Sequence, residues 1–251
     1  MDYVIGKLLG FAMVLTRTSV FFITGPVFSW QSIPSTVKIA MTVLVSIFFC
    51  TVCPVGIDAN RVSTVEAVLY LCNEALYGLA LGLVAILVFS VVKFAGQIVE
   101  REMGLAMAEI LDPMTGEMAQ PLGMFLEMVF ILLLLSANGH HLLLLVLSRS
   151  YEVFPAGRIP AISALANGVL EAGSTLLMAG LRLAAPILGA FLLLNVVLAV
   201  LARVAQEMNI LLISLSMRVA LGFVVVVVLF IPFLNGFVGE FAEWMGKLLP
   251  L

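Results

Sequence analysis

The sequence predicts an all-α, polytopic integral membrane protein, and three observations carry that reading. Only 27 of its 251 residues are charged, 12 Lys and Arg against 15 Asp and Glu, or 11% of the chain, where a soluble domain carries about 25%. Hydrophobic residues make up 63% and the mean hydropathy is +1.22, so there are too few polar side chains to cover a water-facing surface. The apolar residues also gather into runs that match the roughly 20 residues of a bilayer-crossing helix, with none of the short alternating segments of a barrel. Lipid supplies no water to unpaired backbone groups, which leaves the helix as the expected state. These numbers exclude a soluble enzyme and a disordered chain. A net charge of -3 also lacks the basic excess of a nucleic-acid surface.

In chain order, the first segment is Tyr3 to Phe28, apolar but carrying Lys7 and Arg17. An acid at Asp2 and the lack of an A-x-A-like site argue against a cleaved signal peptide, so insertion is expected through the hydrophobic segments themselves. Uncharged runs follow at Ile39 to Ile57, Ala75 to Val92, Met128 to Ser148, Leu183 to Ala202 and Val219 to Gly239, of 19, 18, 21, 20 and 21 residues. Each is long enough to cross as a helix. Ile159 to Leu181 is a weaker candidate, interrupted by Glu171. The spacings Gly6-x3-Gly10, Gly78-x3-Gly82 and Ala185-x3-Gly189 permit close helix approach. Pro186, Asn195 and Pro232 within apolar runs predict kinks or interruptions. Lys and Arg divide five against five across alternate sides of the five runs, so charge bias selects no orientation.

Cys50, Cys53 and Cys72 are an odd number for a disulfide framework and read as small packing residues. His140 and His141 follow Asn138-Gly139 with no third ligand spaced to help them; a structural place at a helix end is the expected use, with a metal or proton-relay role as the alternative. The chain has no H-E-x-x-H, no G-x-S-x-G and no phosphate loop. The expectation is therefore of no enzyme, no metal and no cofactor.

The longest stretch without a credible span runs from Lys93 to Glu127. It holds Glu100, Glu102, Glu109, Asp112, Glu117 and Glu127 against Lys93 and Arg101. Lys93, Gln97, Glu100 and Arg101 share one helical face, and Met103, Met107, Ile110 and Met114 follow the same period on another. Asp112-Pro113 is then expected to break the helix, with Gly116 supplying a turn and Pro121 and Gly123 closing the loop. Six of the 13 methionines (Met103, Met107, Met114, Met118, Met124, Met128) fall within 26 residues here. Such adaptable side chains can fill gaps in a core or seal around cargo of variable shape.

Several patterns occur in a recognisable order: Arg17-x4-Phe22-x3-Pro26-Val27-Phe28, Ile33-Pro34-x3-Lys38, Ala95-Gly96-Gln97-x5-Met103-Gly104, Asp112-Pro113-x2-Gly116, Asn138-Gly139-His140, Pro155-x-Gly157, Leu181-Arg182-Leu183-Ala184-x-Pro186 and Ala202-Arg203-x5-Asn209. Over this range the chain resembles the FliR/SctT family of the type III secretion export gate, and its flagellar branch more than its virulence-secretion branch. It departs from the family pattern at Ala205-Gln206-Glu207-Met208 and in having Glu100 where an aspartate is usual. The resemblance implies a fold of long kinked helical hairpins, with a FliP-like portion over 1-175 and a FliQ-like helical hairpin over 176-251. It implies a structural subunit that joins FliP and FliQ, with FlhB alongside, at the gated entrance of the flagellar export channel. The expected setting is the bacterial inner membrane, at the flagellar basal body, where the gate passes unfolded flagellar substrates. The matched gating element is the loop 107-121, with Met107, Ile110 and Leu111 as a plug and Asp112, Pro113 and Gly116 setting its turn. Met103, Met114 and Met118 are the expected seal. A small-molecule secondary transporter, suggested by the Pro- and Gly-interrupted helices, is the alternative.

Overall fold

The structure, a computed structural model, describes residues 2-26, 34-52, 63-105, 121-157, 162-204 and 210-230, together with 232 and 236. Seven α-helices cover them: α1 (Asp2–Thr24), α2 (Ser35–Val52), α3 (Thr64–Glu102), α4 (Pro121–Ser136), α5 (Gly139–Val153), α6 (Ile162–Val204) and α7 (Ile210–Val225). No strand occurs among the described residues. Helices α1, α2, α3 and α6 are each long and apolar enough to cross a membrane, so the chain is a multi-pass membrane protein. Its hydroxyls suit a medium without water. Thr16, Thr24, Thr42, Ser46 and Ser150 all donate to carbonyls one turn back on their own helix, at 2.6–2.8 Å, instead of leaving a donor unpaired.

The helix boundaries follow local chemistry. At the start of α3 the Glu66 carboxylate accepts the Ser63 backbone N–H at 2.8 Å, half of a capping box. Pro121 opens α4 at the position where its missing N–H has no partner to lose. A π-helical turn, Val226–Phe230, follows α7, just ahead of Pro232 in the sequence.

Three expectations are corrected. The run Met128 to Ser148 is not one straight span: it breaks with a sharp bend between α4 and α5. Asn138 takes the left-handed conformation there (φ 58°), as Asn before Gly readily does. From Ile162 the weak segment and the run Leu183 to Ala202 are one helix, the 43-residue α6, which Glu171, Arg182 and Pro186 do not interrupt. Finally, α3 stops at Glu102 instead of continuing along Met103 toward Asp112-Pro113. Gly104 (φ 77°) donates to the Arg101 carbonyl and Leu105 donates to that of Glu100, a Schellman ending that satisfies two terminal carbonyls.

The described residues form two compact units. One comprises residues up to Val88 with Asn138–Ser174, the other Phe89–Ala137 with the residues from Thr175 onward. In the first, Met13, Phe21, Tyr77, Val84, Leu143 and Leu147 are buried, and Phe49 of α2 meets Tyr151 of α5 at 5.8 Å between ring centroids. In the second, Val92, Val99, Leu126, Leu134 and Phe191 are buried, and Phe89 packs edge-on against Phe130 at 5.2 Å.

Glycine decides how closely α1 and α3 approach. A Cβ at Gly78 would stand 2.5 Å from the Arg17 carbonyl oxygen, and one at Gly82 would overlap the Thr24 hydroxyl. The Gly78-x3-Gly82 spacing is therefore a contact face, whereas a Cβ at Gly189 meets nothing within 4 Å. Gly78→Val and Gly82→Val should each lower the thermal midpoint of the detergent-purified chain by the equivalent of about 1–3 kcal/mol, the usual cost of overpacking. Gly189→Val should leave it unchanged, and equal losses at all three positions would refute this assignment.

Candidate functional site

In the first unit, α1, α3 and α5 converge on one buried charge. Arg17 and Glu74 have side chains 0% and 1% exposed. In a setting where an isolated ion would be prohibitively costly, they neutralise each other. The Arg17 Nε donates to Glu74 Oε2 at 2.7 Å. Its Nη1 donates to the backbone oxygen and the hydroxyl of Ser150 at 3.1 and 3.2 Å, and its Nη2 to the Phe154 carbonyl at 3.0 Å. These carbonyls lie at the C-terminal end of α5, where a cation complements the helix dipole. The guanidinium also lies between two rings, 4.7 Å from the centroid of Tyr77 and 4.2 Å from that of Tyr151, both within cation–π range.

The surrounding groups complete the junction. Glu74 Oε1 accepts the Gly157 N–H at 3.2 Å, so the carboxylate joins Arg17 to the turn after α5. The Tyr151 hydroxyl donates to the Val14 carbonyl at 3.2 Å and lies 3.4 Å from the Thr18 hydroxyl. Phe154 stacks on Tyr77 at 5.0 Å. Such a fork can be satisfied in three directions only by arginine, whose planar donors diverge. The junction contains no nucleophile beside a base. Its chemistry is cohesion: it ties three helices and fixes the turn after α5 within apolar surroundings.

A second polar group lies in the second unit, at the base of the central loop. Glu100, 5% exposed, accepts the Gly123 N–H at 3.4 Å, capping the N-terminal turn of α4 with a carboxylate from α3. The helices nearly touch: a Cβ on Gly96 would be 2.8 Å from the Gly123 Cα. Lys93 and Glu127 form a partly exposed pair at 3.8 Å. Met103 is fully buried and lies against Gly222 of α7, where a Cβ would overlap its side chain.

Of the expected gating residues, Met107, Ile110, Leu111, Asp112, Pro113 and Gly116 lie outside the described residues, as do Met114 and Met118 of the expected seal. Met103 alone is placed. The rings of His140 and His141 stand 4.2 Å apart, and no group of three or more metal-ligating side chains occurs among the described residues. Cys50 and Cys72 carry free thiols, and Cys53 is outside the described residues.

Sequence reasoning placed Arg17 in the first span but passed over Glu74, Ser150, Tyr77 and Tyr151. A signal was present. Glu74 is the only acid between Glu66 and Glu100, and an acid and an arginine within separate apolar segments are expected to find each other in a membrane.

Fold and junction together define a multi-pass helical membrane protein whose buried charges tie helices to one another. The profile of the family described as bacterial export proteins, family 1, matches residues 8–244, and the chain belongs to that family. It is 27% identical over 233 residues to the flagellar biosynthetic protein FliR of Bacillus subtilis strain 168, covering 91% of this chain and 88% of the relative. It is 32% identical over 199 residues to the flagellar biosynthetic protein FliR of Pectobacterium carotovorum, covering 79% and 76%. A Yersinia pestis relative, Yop proteins translocation protein T, is 29% identical over 170 residues, covering 67% and 65%.

Proposed function

We propose that the chain is a structural subunit of the flagellar type III protein export gate in the bacterial inner membrane, forming with FliP, FliQ and FlhB the entrance through which unfolded flagellar substrates pass. Membership of the bacterial export family across residues 8–244, with flagellar biosynthetic relatives, is the observation that carries this reading. Helix dimensions support it. The 39 residues of α3 and 43 of α6 extend about 58 and 65 Å at 1.5 Å per residue, roughly twice the hydrocarbon core of about 30 Å. Their exposed Val65, Leu69, Leu170, Leu177 and Val204 suit burial by neighbouring subunits better than contact with water.

On this reading residues 1-175 are the FliP-like portion and 176-251 the FliQ-like hairpin. Met107, Ile110 and Leu111 obstruct the closed channel, with Asp112, Pro113 and Gly116 shaping the loop that carries them. Met103, Met114 and Met118 form part of the seal around the moving substrate. The subunit does no covalent chemistry.

Purification of the tagged chain from mild detergent tests the assignment. A stable complex containing FliP-like, FliQ-like and FlhB-like chains is expected. A chain that purifies alone, and in liposomes carries a small solute, would replace the gate with a transporter.

A further inference from the structure

In the second unit, Met103 occupies a specific seat. It follows the last residue of α3 and is fully buried, with its side chain lying on Gly222 of α7. A Cβ at Gly222 would overlap the Met103 Cγ and Sδ and stand 2.9 Å from its Cε. The outer atoms of the methionine therefore fill the space that any residue larger than glycine would take. Rotation about the last bond of the side chain moves Cε alone. A larger residue at 222 must either drive Met103 from its seat or shift the end of α3.

The backbone at this seat is tied into α3. The Met103 N–H donates to the Val99 carbonyl at 2.9 Å, and the next two N–H groups close the helix end on the Arg101 and Glu100 carbonyls at 3.1 and 3.3 Å. Gly104 also meets α7, since a Cβ there would stand 3.5 Å from the Leu215 Cδ1. Leu215 and Gly222 are two helical turns apart in α7 and share one face of it, so a single stripe carries both contacts. Close by on α3, the Glu100 carboxylate holds the first turn of α4 through the Gly123 N–H. The chain enters residues 106–120 from Leu105 and leaves them at Pro121, and α3, α4 and α7 together hold the entry.

We propose that Gly222 is a positioning residue for the gate: the socket it leaves on α7 seats Met103 and so fixes where the sealing segment starts. The proposal rests on the gate-subunit reading above and deepens it, naming the helix of this chain that sets the seal. Methionine suits such a socket because it fills irregular gaps. A close-packed contact of this kind has one seated arrangement instead of a continuum. Leakage through the gate then depends on the combined volume at the two positions and not on either one alone.

The test uses the full chain co-expressed with its FliP-like, FliQ-like and FlhB-like neighbours, with the purified complex reconstituted in planar bilayers. Gly222→Val, which overfills the socket, and Met103→Ala, which empties it, should each raise ion leakage about threefold or more at unchanged subunit ratios, since an apolar constriction excludes water only while its walls are held. Gly222→Val adds Cβ, Cγ1 and Cγ2, and Met103→Ala removes Cγ, Sδ and Cε, so the double variant conserves volume. It should return leakage to within about twofold of wild type. Met103→Ala and the double variant decide the matter even where Gly222→Val alone fails to assemble. Wild-type leakage in the single variants, while deletion of residues 108–116 leaks, would overturn the socket and leave the gate reading standing. So would a double variant as leaky as the single ones. Thermal midpoints lowered in the single variants and restored in the double one, with leakage unchanged throughout, would also overturn it and assign the contact to packing. If the deletion itself leaves leakage unchanged, the plug assignment fails, and the role of Gly222 with it.

Discussion

Glu74→Gln and Arg17→Met should each destabilise the protein by about 3–5 kcal/mol, the cost of leaving half of a buried ion pair without its counter-charge. Both side chains are excluded from solvent, so neither can be rescued by hydration, and the membrane offers no alternative partner. Glu74→Gln strands a guanidinium against three α5 acceptors, whereas Arg17→Met strands a carboxylate along with the Ser150 and Phe154 carbonyls. The double variant Arg17→Met/Glu74→Leu should be less damaged than either single one, since it removes both charges. It should not reach wild type, because Gly157 loses its acceptor. Arg17→Lys should behave more like Arg17→Met than like wild type, since one ammonium cannot reach acceptors in three directions while lying between two rings. Thermal unfolding of the purified chain in mild detergent measures all four, and Glu74→Leu alone completes the double-mutant cycle. A Lys variant as stable as wild type would show that charge alone, not the divergent fork, holds the junction.

If residues 107–121 plug the channel as proposed, deleting residues 108–116 should raise ion leakage through the assembled gate by about tenfold or more, because loss of an apolar constriction admits water. The flanks of the loop make the experiment interpretable. On one side α3 ends in the Schellman turn at Gly104; on the other α4 is held to α3 through Gly96, Gly123 and Glu100. The deletion spares all of these groups, so assembly with partner subunits should survive it. Conductance of the reconstituted complex in planar bilayers provides the measurement. Leakage equal to wild type in a fully assembled complex would remove Met107, Ile110 and Leu111 from the plug.

The sequence was most informative where a property accumulates along the chain. Hydrophobicity summed over about 20 residues located α1, α2, the core of α3 and the second half of α6, because transfer into lipid depends on that sum and not on any neighbour. Asn138-Gly139 carried the turn that divides α4 from α5, yet the surrounding apolar run concealed it. Glu171 and Arg182 looked like interruptions of α6, but a charged side chain on one face of a helix leaves the backbone bonds untouched, and the helix continues. The end of α3 depended on a single glycine adopting a positive φ, while the methionine periodicity suggested continuation.

Composition, charge deficit and hydrophobic runs by themselves determined that this is a multi-pass helical membrane protein, since a chain with 27 charges in 251 residues cannot bury its apolar surface in water. Only the tertiary structure decided how its few interior charges are used. Arg17 meets a carboxylate 57 residues away and a serine 133 residues away, while Arg218 meets one amide 23 residues away and retains a free donor. The reason is physical: desolvation falls on each charge locally, but its compensation depends on three-dimensional proximity, which linear periodicity does not encode.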